Sequence, residues 1–576
     1  MLKKPFLKSL LLSLTLLLSA CSSQFKTVKL LKGHSQAQHE AFSDKIMIAT
    51  QGEAATAAGI KMIELGGNAF DAAAAVSFAI SVERPQSTGL GGGGFMLMDG
   101  PTFEQPLSLD FREKAPLKAH SKMYVDKNDA IIERKSLDGI FAGGVPGLVK
   151  GVLEMQAKYG KLTRQQVMQP AIELATNGFK IYPHLAKAIE ARQEVLKQYP
   201  ASIAVFFKSD GSIKEEGDIL IQKDLAKTLQ TISEKGINGF YKGWVAQAIV
   251  DESKRLGGYI RQIDLDKYNT KWRTPVQGTF NGYEIFSMGP PSSGGTHVIQ
   301  ILNILEPLNL KEQGIQSPTS IHQTASAMQL AFVDRARYMG DADFVKVPVK
   351  GLISKKYAGE LRKKIGSKAL KLEQDDLLDA FPYESDETTH FTIMDNVGNT
   401  VSSTQTINGW LGSGVVIPGT GIVMNNEMDD FSKKPGDSNL FGAVGSKNNL
   451  VQPEKRPLSS MSPTIVRKDG KPILALGTPS GTRILTCVSQ VLLNYLEHEK
   501  DLYTAVAALR YHHQWQPDHI RVEDPGFSLG TKKALQSMGH EIRHEDLGCK
   551  VQAVAFENNR LHGVADPRGE GLAKGQ

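Results

Sequence analysis

Apolar and polar positions change period several times along this chain, and each change marks a different kind of element. Glu53 to Glu64 is Ala-rich and stops at Gly66-Gly67, and Phe70 to Val82 forms a second Ala-rich run. That spacing predicts two packed helices separated by a glycine C-cap. Gly91-Gly92-Gly93-Gly94 followed by Phe95-Met96-Leu97-Met98 predicts a close backbone turn entering a strand. The glycines lack the Gly-Lys-Ser/Thr ending of a phosphate loop, which argues against nucleotide binding. From about 145 to 270 a helical period rich in Lys and Glu predicts a helical layer. Glu360 to Asp379, charged and without aromatics, predicts an exposed helix and linker. Short apolar runs at Ile417 to Met424, Ile473 to Leu476 and Val551 to Phe556 make the last third strand-rich. Helices outside stacked sheets would bury these faces.

The sharpest alternation lies between Thr388 and Gly414, TTHFTIMDNVGNTVSSTQTINGWLGSG. Asn396-Val397-Gly398 fits a three-residue hairpin loop with Gly in the left-handed position, so facing residues should sum to about 794. Thr388 then faces Thr406. Phe391, Ile393, Val401 and Ile407 share one face; Thr388, His390, Thr392, Ser402, Thr404, Thr406 and Asn408 share the other. Threonine is also a good strand former, so the hairpin alone favours a structural sheet with hydroxyls toward solvent.

Composition adds limits rather than a function. The 576 residues are 41% hydrophobic and 22% charged, ordinary for a globular chain of several domains' length. The formal charge of +6 falls to +3 once the segment carrying Lys3, Lys4 and Lys8 is set aside, which gives no case for nucleic acid. Met1 to Ala20 combines that basic start with an apolar run from Leu10 to Leu18 and small residues before Cys21, the pattern of a secretory signal too short to span a bilayer as a helix. Leu18-Ser19-Ala20-Cys21 resembles a bacterial lipobox, which implies cleavage before Cys21, lipidation of Cys21, and an exported protein at the periplasm or cell surface, anchored by acyl chains. Residues 21–44 read as a tether. Only Cys487 and Cys549 remain, too few to define a disulfide framework, and Cys487 in ILTCVSQVLL reads as a small buried hydrophobe.

TTHFTIMDNVGNTVSSTQTIN resembles the autocleavage signature of γ-glutamyltranspeptidases, a family of N-terminal-nucleophile hydrolases. ERPQSTGLGGGGFML, LDFREKAP, GPPSSGGTHV and DRARYMGDADFV precede it in order, and NNEMDDFS, KRPLSSMSPT, GTPSGTRI and VADPRGEG follow it. The resemblance spans residues 45 to 576. It implies an α+β fold, the four-layered αββα sandwich, shared by a large chain ending at Glu387 and a small catalytic chain of 388–576 that together form a heterodimer. The implied activity is hydrolysis of glutathione and related γ-glutamyl donors, or transfer to amino acid or dipeptide acceptors. An acylase of the same fold, or an inactive lipid-anchored binding protein, are the competing readings.

A threonine hydroxyl needs a base, and an amino-terminal threonine has its own α-amine, with a reference pKa of about 7.7 to 8.0. The resemblance implies that Thr388 becomes that terminus by attacking the carbonyl of Glu387, with Thr406 orienting it. By the same resemblance Arg112, helped by Ser459 and Ser460, holds the donor's α-carboxylate. Asn408, Glu427 and Asp430 hold its α-ammonium, while Asp429 is structural. Backbone N–H groups at Ser480 and Gly481 would receive the oxyanion. Many relatives carry Gly where this chain has Ser480, so a positive φ there would be costly. Asp437 to Lys447 resembles a lid loop, in which Phe441 replaces a frequent Tyr and predicts a more mobile lid. His390, two residues along the strand and about 6.5 Å from Thr388, reads as structural. His512, His513, Asp518 and His519 do not match a helical zinc motif, and neither a metal nor a cofactor is expected.

Overall fold

The computed structural model describes residues 39–372 and 388–576. The signal segment, Cys21, Glu387 and the linker through Asp379 lie outside the described residues. Two seven-stranded sheets, antiparallel throughout, are stacked face to face. At the middle of one, Thr389–Asp395 pairs with Thr400–Thr406, flanked by Ile46–Thr50 on one side and Gly93–Asp99 on the other. At the middle of the second, Lys471–Gly477 lies between Thr464–Lys468 and Gln552–Glu557.

The central hairpin has the register that its turn demands. Thr389 faces Gln405, His390 faces Thr404 and Met394 faces Thr400, while Gly398 takes φ of 100°. A left-handed residue at that point closes the three-residue loop without splaying the strands. Alternation then sorts the side chains. Phe391, Ile393 and Val401 join Ile48, Met96 and Met98 in a core against the helices Glu53–Glu64 and Ala69–Glu83. The second helix starts on a reciprocal cap: the Asn68 side chain accepts from the Phe70 and Asp71 N–H groups, and Asp71 accepts from the Asn68 N–H.

The opposite, hydroxyl-rich face turns not to solvent but to the second sheet. Thr392 Oγ1 donates to the Gln552 carbonyl at 3.0 Å and Ser402 Oγ to the Leu476 carbonyl at 3.1 Å. Buried hydroxyls must find acceptors, and here each finds one across the layer. The far side of the second sheet is covered by Gly294–Leu305, Pro318–Tyr338 and Arg483–Leu492, in one core with Val466, Leu474 and Leu476. The order is helix, sheet, sheet, helix, as the resemblance implied.

Residues before and after position 388 are interleaved in both sheets. Ile46–Thr50 and Gly93–Asp99 sandwich the hairpin, and Tyr283–Ser287 pairs with Thr464–Lys468. Two chains cut at 388 therefore share their cores. Glu40–Ser43 already pairs with Arg560–Ala565, so the fold begins inside the span read as a tether to residue 44. The helix expected from Glu360 instead occupies Lys355–Arg362, and the run from Ile417 to Met424 divides into a small hairpin, Val416–Ile417 with Ile422–Val423. Cys487 is not a free buried thiol: it forms a disulfide with Cys549, across a Cα–Cα distance of 6.6 Å. Residues 62 apart in sequence meet because the fold sets a helix beside a loop, which no local pattern records.

Burial holds several histidines neutral. His390 and His512 are pushed down to about 3 and His297 to about 4, each by desolvation. A histidine whose folded pKa lies below its unfolded value near 6.5 favours the unfolded state once the pH drops through 6.5. The loss of stability should grow continuously toward pH 4, by about 1.4 kcal/mol per such histidine at pH 5.5. Urea midpoints measured at pH 7.5 and 5.5 should fall sharply at the lower pH; equal midpoints would contradict neutral burial.

Candidate active site

Thr388 sits at the mouth of the hairpin, where the strand that it begins meets the end of the facing strand. Its Oγ1 donates to Thr406 Oγ1 at 3.4 Å, and both residues are buried. Thr406 Oγ1 also accepts the Asn408 N–H at 2.8 Å. That bond turns the chain sharply after the strand, and Asn408 takes φ of 73°, a conformation that asparagine tolerates better than most side chains. The Asn408 side chain donates to the Asn426 carbonyl at 3.0 Å and so ties the hairpin to the acidic turn Glu427–Asp430.

A small pocket opens beside the two threonines. Arg112, Arg335, Glu427, Asp430, Ser459 and Gly481 are among its walls, and the free space is only about 20 Å³. Arg112, fully buried just beyond the strand Leu107–Asp110, bonds Glu427 through Nη1 and Asp430 through Nη2, the latter at 2.5 Å. Desolvation pushes both carboxyls up while Arg112 pulls them down. Glu113, also buried and 3.8 Å from Arg112, is driven up to about 8 by the same burial. Ionised groups persist at such a site only when paired, and the pocket supplies both signs within bonding distance.

Ser459 and Ser460 reach the pocket on the loop before Thr464–Lys468. Ser459 Oγ accepts the Met461 N–H at 3.0 Å, and Ser460 Oγ accepts from Arg335 Nη2 at 3.2 Å. Arg335, within DRARYMGDADFV, also lines the pocket, and the sequence assigns it no role. Burial lowers its guanidinium to about 10, with Asp430 acting in the opposite direction. A signal was present: Ile321, Ala325, Met328 and Phe332 form an apolar stripe at helical spacing, and Arg335 is the next position on it. A charge on the buried stripe of a helix needs a partner.

The lid is closed over this pocket. Phe441, 4% exposed, lies against Gly481, where an added Cβ would come within 2.1 Å of the ring. Asn439 Nδ2 donates to Asp430 Oδ1 at 2.6 Å, and the Leu440 N–H donates to Asp429 Oδ2 at 2.6 Å. Asp429 also accepts from Ser136 Oγ, so its contacts are structural. Asp437 pairs with Lys433, and Gln514 and Thr482 bond lid carbonyls, so the polar tethers come from Asn439, Asp437 and the main chain while Phe441 contributes apolar packing. Ser480 has φ of 108° and Gly481 φ of 50°, so the conformation expected to be costly for a serine is the one adopted. Both lie at the amino-terminal end of the helix Arg483–Leu492, where the helix dipole favours negative charge.

His390 has no part in the pocket. Its ring nitrogens bond Thr404 Oγ1 at 2.8 Å and Thr392 Oγ1 at 3.0 Å between the sheets, the structural role that the register requires. His513 pairs with Asp518, and no cluster of three metal-ligating side chains occurs among the described residues.

A helix–sheet–sheet–helix sandwich with a threonine at the opening of its central strand defines the N-terminal-nucleophile hydrolase class. The sequence model named Gamma-glutamyltranspeptidase matches residues 55–576, and the chain belongs to that family. It is 43% identical over 525 residues to a glutathione hydrolase proenzyme of Escherichia coli (strain K12), covering 91% of this chain and 90% of that protein. It is 36% identical over 536 residues to the acylase ACY 1 proenzyme of Pseudomonas sp. (strain SE83), covering 91% and 92%. Its fold resembles the crystal structure of a cephalosporin acylase from Bacillus halodurans with a TM-score of 0.83 at 26% identity, over 96% of this chain and 99% of that one.

Asn439→Ala should loosen the lid, since about 1 kcal/mol is the ordinary contribution of such a bond. Amide exchange through 437–447 should quicken while exchange in the central hairpin stays unchanged; an unaltered lid would show that Asn439 is not its tether.

Proposed function

We propose that this chain is a self-cleaving enzyme that hydrolyses the γ-glutamyl amide of glutathione and related donors, or passes the γ-glutamyl group to an amino acid or dipeptide. The observation that carries this reading is the buried pocket of Arg112, Arg335, Glu427 and Asp430 beside Thr388. Its two cations and two anions match the α-carboxylate and α-ammonium of a γ-glutamyl head. An acyl group without that head would leave the charges to themselves, which disfavours the acylase reading. On binding, Arg112 would exchange its bonds with Glu427 and Asp430 for a bidentate grip on the carboxylate, supported by Ser459 and Ser460. The released acids and Asn408 would then take the ammonium.

The chemistry follows from Thr388 as an amino terminus. Its α-amine removes the hydroxyl proton, Oγ1 attacks the γ-carbonyl carbon, and Thr406 orients the attacking oxygen. The oxyanion settles on the backbone N–H groups of Ser480 and Gly481. Collapse expels the amine, which takes the proton, and leaves a γ-glutamyl ester on Thr388. Water or an acceptor amine attacks that ester and regenerates the hydroxyl. Self-cleavage uses the same Thr388 hydroxyl on the Glu387 carbonyl, through an ester that water hydrolyses. The products are the chains that begin and end there, held together by the interleaved sheets. The Cys487–Cys549 disulfide accords with an oxidising compartment and so with export, while the lipid anchor at Cys21 rests on the lipobox-like Leu18-Ser19-Ala20-Cys21.

Purified wild type should run as two chains and Thr388→Ala as one; a folded wild type that stays whole would exclude the enzyme. Processed enzyme should cleave a γ-glutamyl anilide at least about 100-fold faster, in kcat/KM, than a glutaryl anilide lacking the α-amine, because the missing charge leaves buried acids unpaired. Equal rates would favour an acylase. Arg112→Ala should lower kcat/KM for the γ-glutamyl anilide by roughly 100-fold or more, the usual effect of removing one partner of a buried pair.

A further inference from the structure

The loop that presents the oxyanion donors is clamped on one side by the segment Leu547–Lys550. Ser480 is fully buried and holds φ of 108°, where a residue with a Cβ is normally unfavourable. Its hydroxyl donates to the Leu547 carbonyl at 2.5 Å and accepts from Arg483 Nε at 3.0 Å. Arg483 Nε also donates to that Leu547 carbonyl, at 2.9 Å, which closes a three-membered set of bonds. Two residues beyond Leu547, Cys549 is joined by the disulfide to Cys487, one helical turn after Arg483. At the next position, the Lys550 N–H donates to Thr478 Oγ1 at 2.9 Å, just before the loop begins. The segment is in turn anchored to the core, since Arg510 Nη1 donates to the Cys549 carbonyl at 3.1 Å and Asp566 accepts the Val551 N–H at 2.8 Å.

We infer that the Ser480 hydroxyl, Arg483 and the Cys487–Cys549 disulfide form a positioning clip that holds the oxyanion loop in a left-handed conformation that its serine would otherwise leave. They act through the backbone, by keeping the N–H groups of Ser480 and Gly481 turned toward the pocket. With glycine at 480 the conformation would cost nothing and no hydroxyl would be needed. With serine, the local hydrogen bonds to Leu547 and Arg483 offset the strain, and the disulfide fixes the segment that carries the accepting carbonyl. Alanine at 480 would keep the strain and lose the bonds. The backbone would then relax toward negative φ and rotate an adjoining peptide, taking a donor away from the oxyanion.

The kinetic consequences rest on the γ-glutamyl-transfer reading; the conformational ones do not. In processed protein, Ser480→Ala should lower kcat for a γ-glutamyl anilide by at least about 10-fold with KM within about two-fold, because the head pocket is untouched while a transition-state donor is misplaced. Ser480→Gly should lower kcat by no more than about three-fold, since it removes the bonds and the strain together. Cys487→Ala with Cys549→Ala should lower kcat in the serine background by several-fold but change it little when added to Ser480→Gly, a non-additivity that a merely structural disulfide would not give. Amide exchange over 478–486 should quicken in Ser480→Ala and in the double cysteine variant, and far less in Ser480→Gly. Equal exchange in Ser480→Ala and Ser480→Gly, or additive effects of the cysteine and glycine changes, would overturn the clip. A wild type inert toward the anilide would instead refute the functional reading, and the exchange comparison would still decide the clip.

Discussion

Everything at this site depends on the register between Thr389–Asp395 and Thr400–Thr406. Because side chains alternate, a slip of one residue would face Thr388 with Gln405 or Ile407. It would also turn Phe391, Ile393 and Val401 away from the helical layer toward the second sheet. The register is held at three places. Gly398 closes the turn in a left-handed conformation, the apolar face packs on the Ala-rich helices, and Thr392 and Ser402 hydrogen-bond to carbonyls of the opposite sheet. The site inherits its precision from the sandwich.

The second constraint is electrostatic. Arg112, Arg335, Glu427 and Asp430 are all buried around one small space, and each depends on the others to remain charged. A pocket of this kind is specific because an incomplete ligand leaves some of its charges worse paired than before. The lid belongs to the same network, since Asn439 bonds the acid that bonds Arg112. The lid and the charged pocket are therefore joined through Asp430, with Phe441 covering the loop at Gly481.

Much of the hairpin was legible because its determinants are local: a three-residue turn, strict alternation, and a glycine where φ must be positive. The two Ala-rich helices were legible for the same reason, to within a residue at either end of the second one. What escaped the sequence is set by tertiary placement. The hydroxyl face of the hairpin turns to another sheet, which alternation alone cannot distinguish from solvent. Cys487 looked like an ordinary apolar-helix residue, and only the approach of the 545–550 loop makes it half of a disulfide. Arg335 did leave a trace, a charge on an apolar helical stripe, but its partner Ser460 is 125 residues away. Asn439 left none, being a polar residue in a polar loop. At Ser480 the conflict with a left-handed backbone was foreseeable, whereas its compensation by Leu547 and Arg483 was not.

The central claim is that Thr388, once an amino terminus, forms the γ-glutamyl ester while the charged pocket holds the head group. Mass analysis of the small chain, acid-quenched during turnover of a γ-glutamyl anilide, tests it most directly. One γ-glutamyl mass should appear on the peptide that begins at Thr388, and Arg112→Ala should greatly reduce its yield. A modified peptide that does not contain Thr388, or turnover with no covalent adduct at any quench time, would contradict the account.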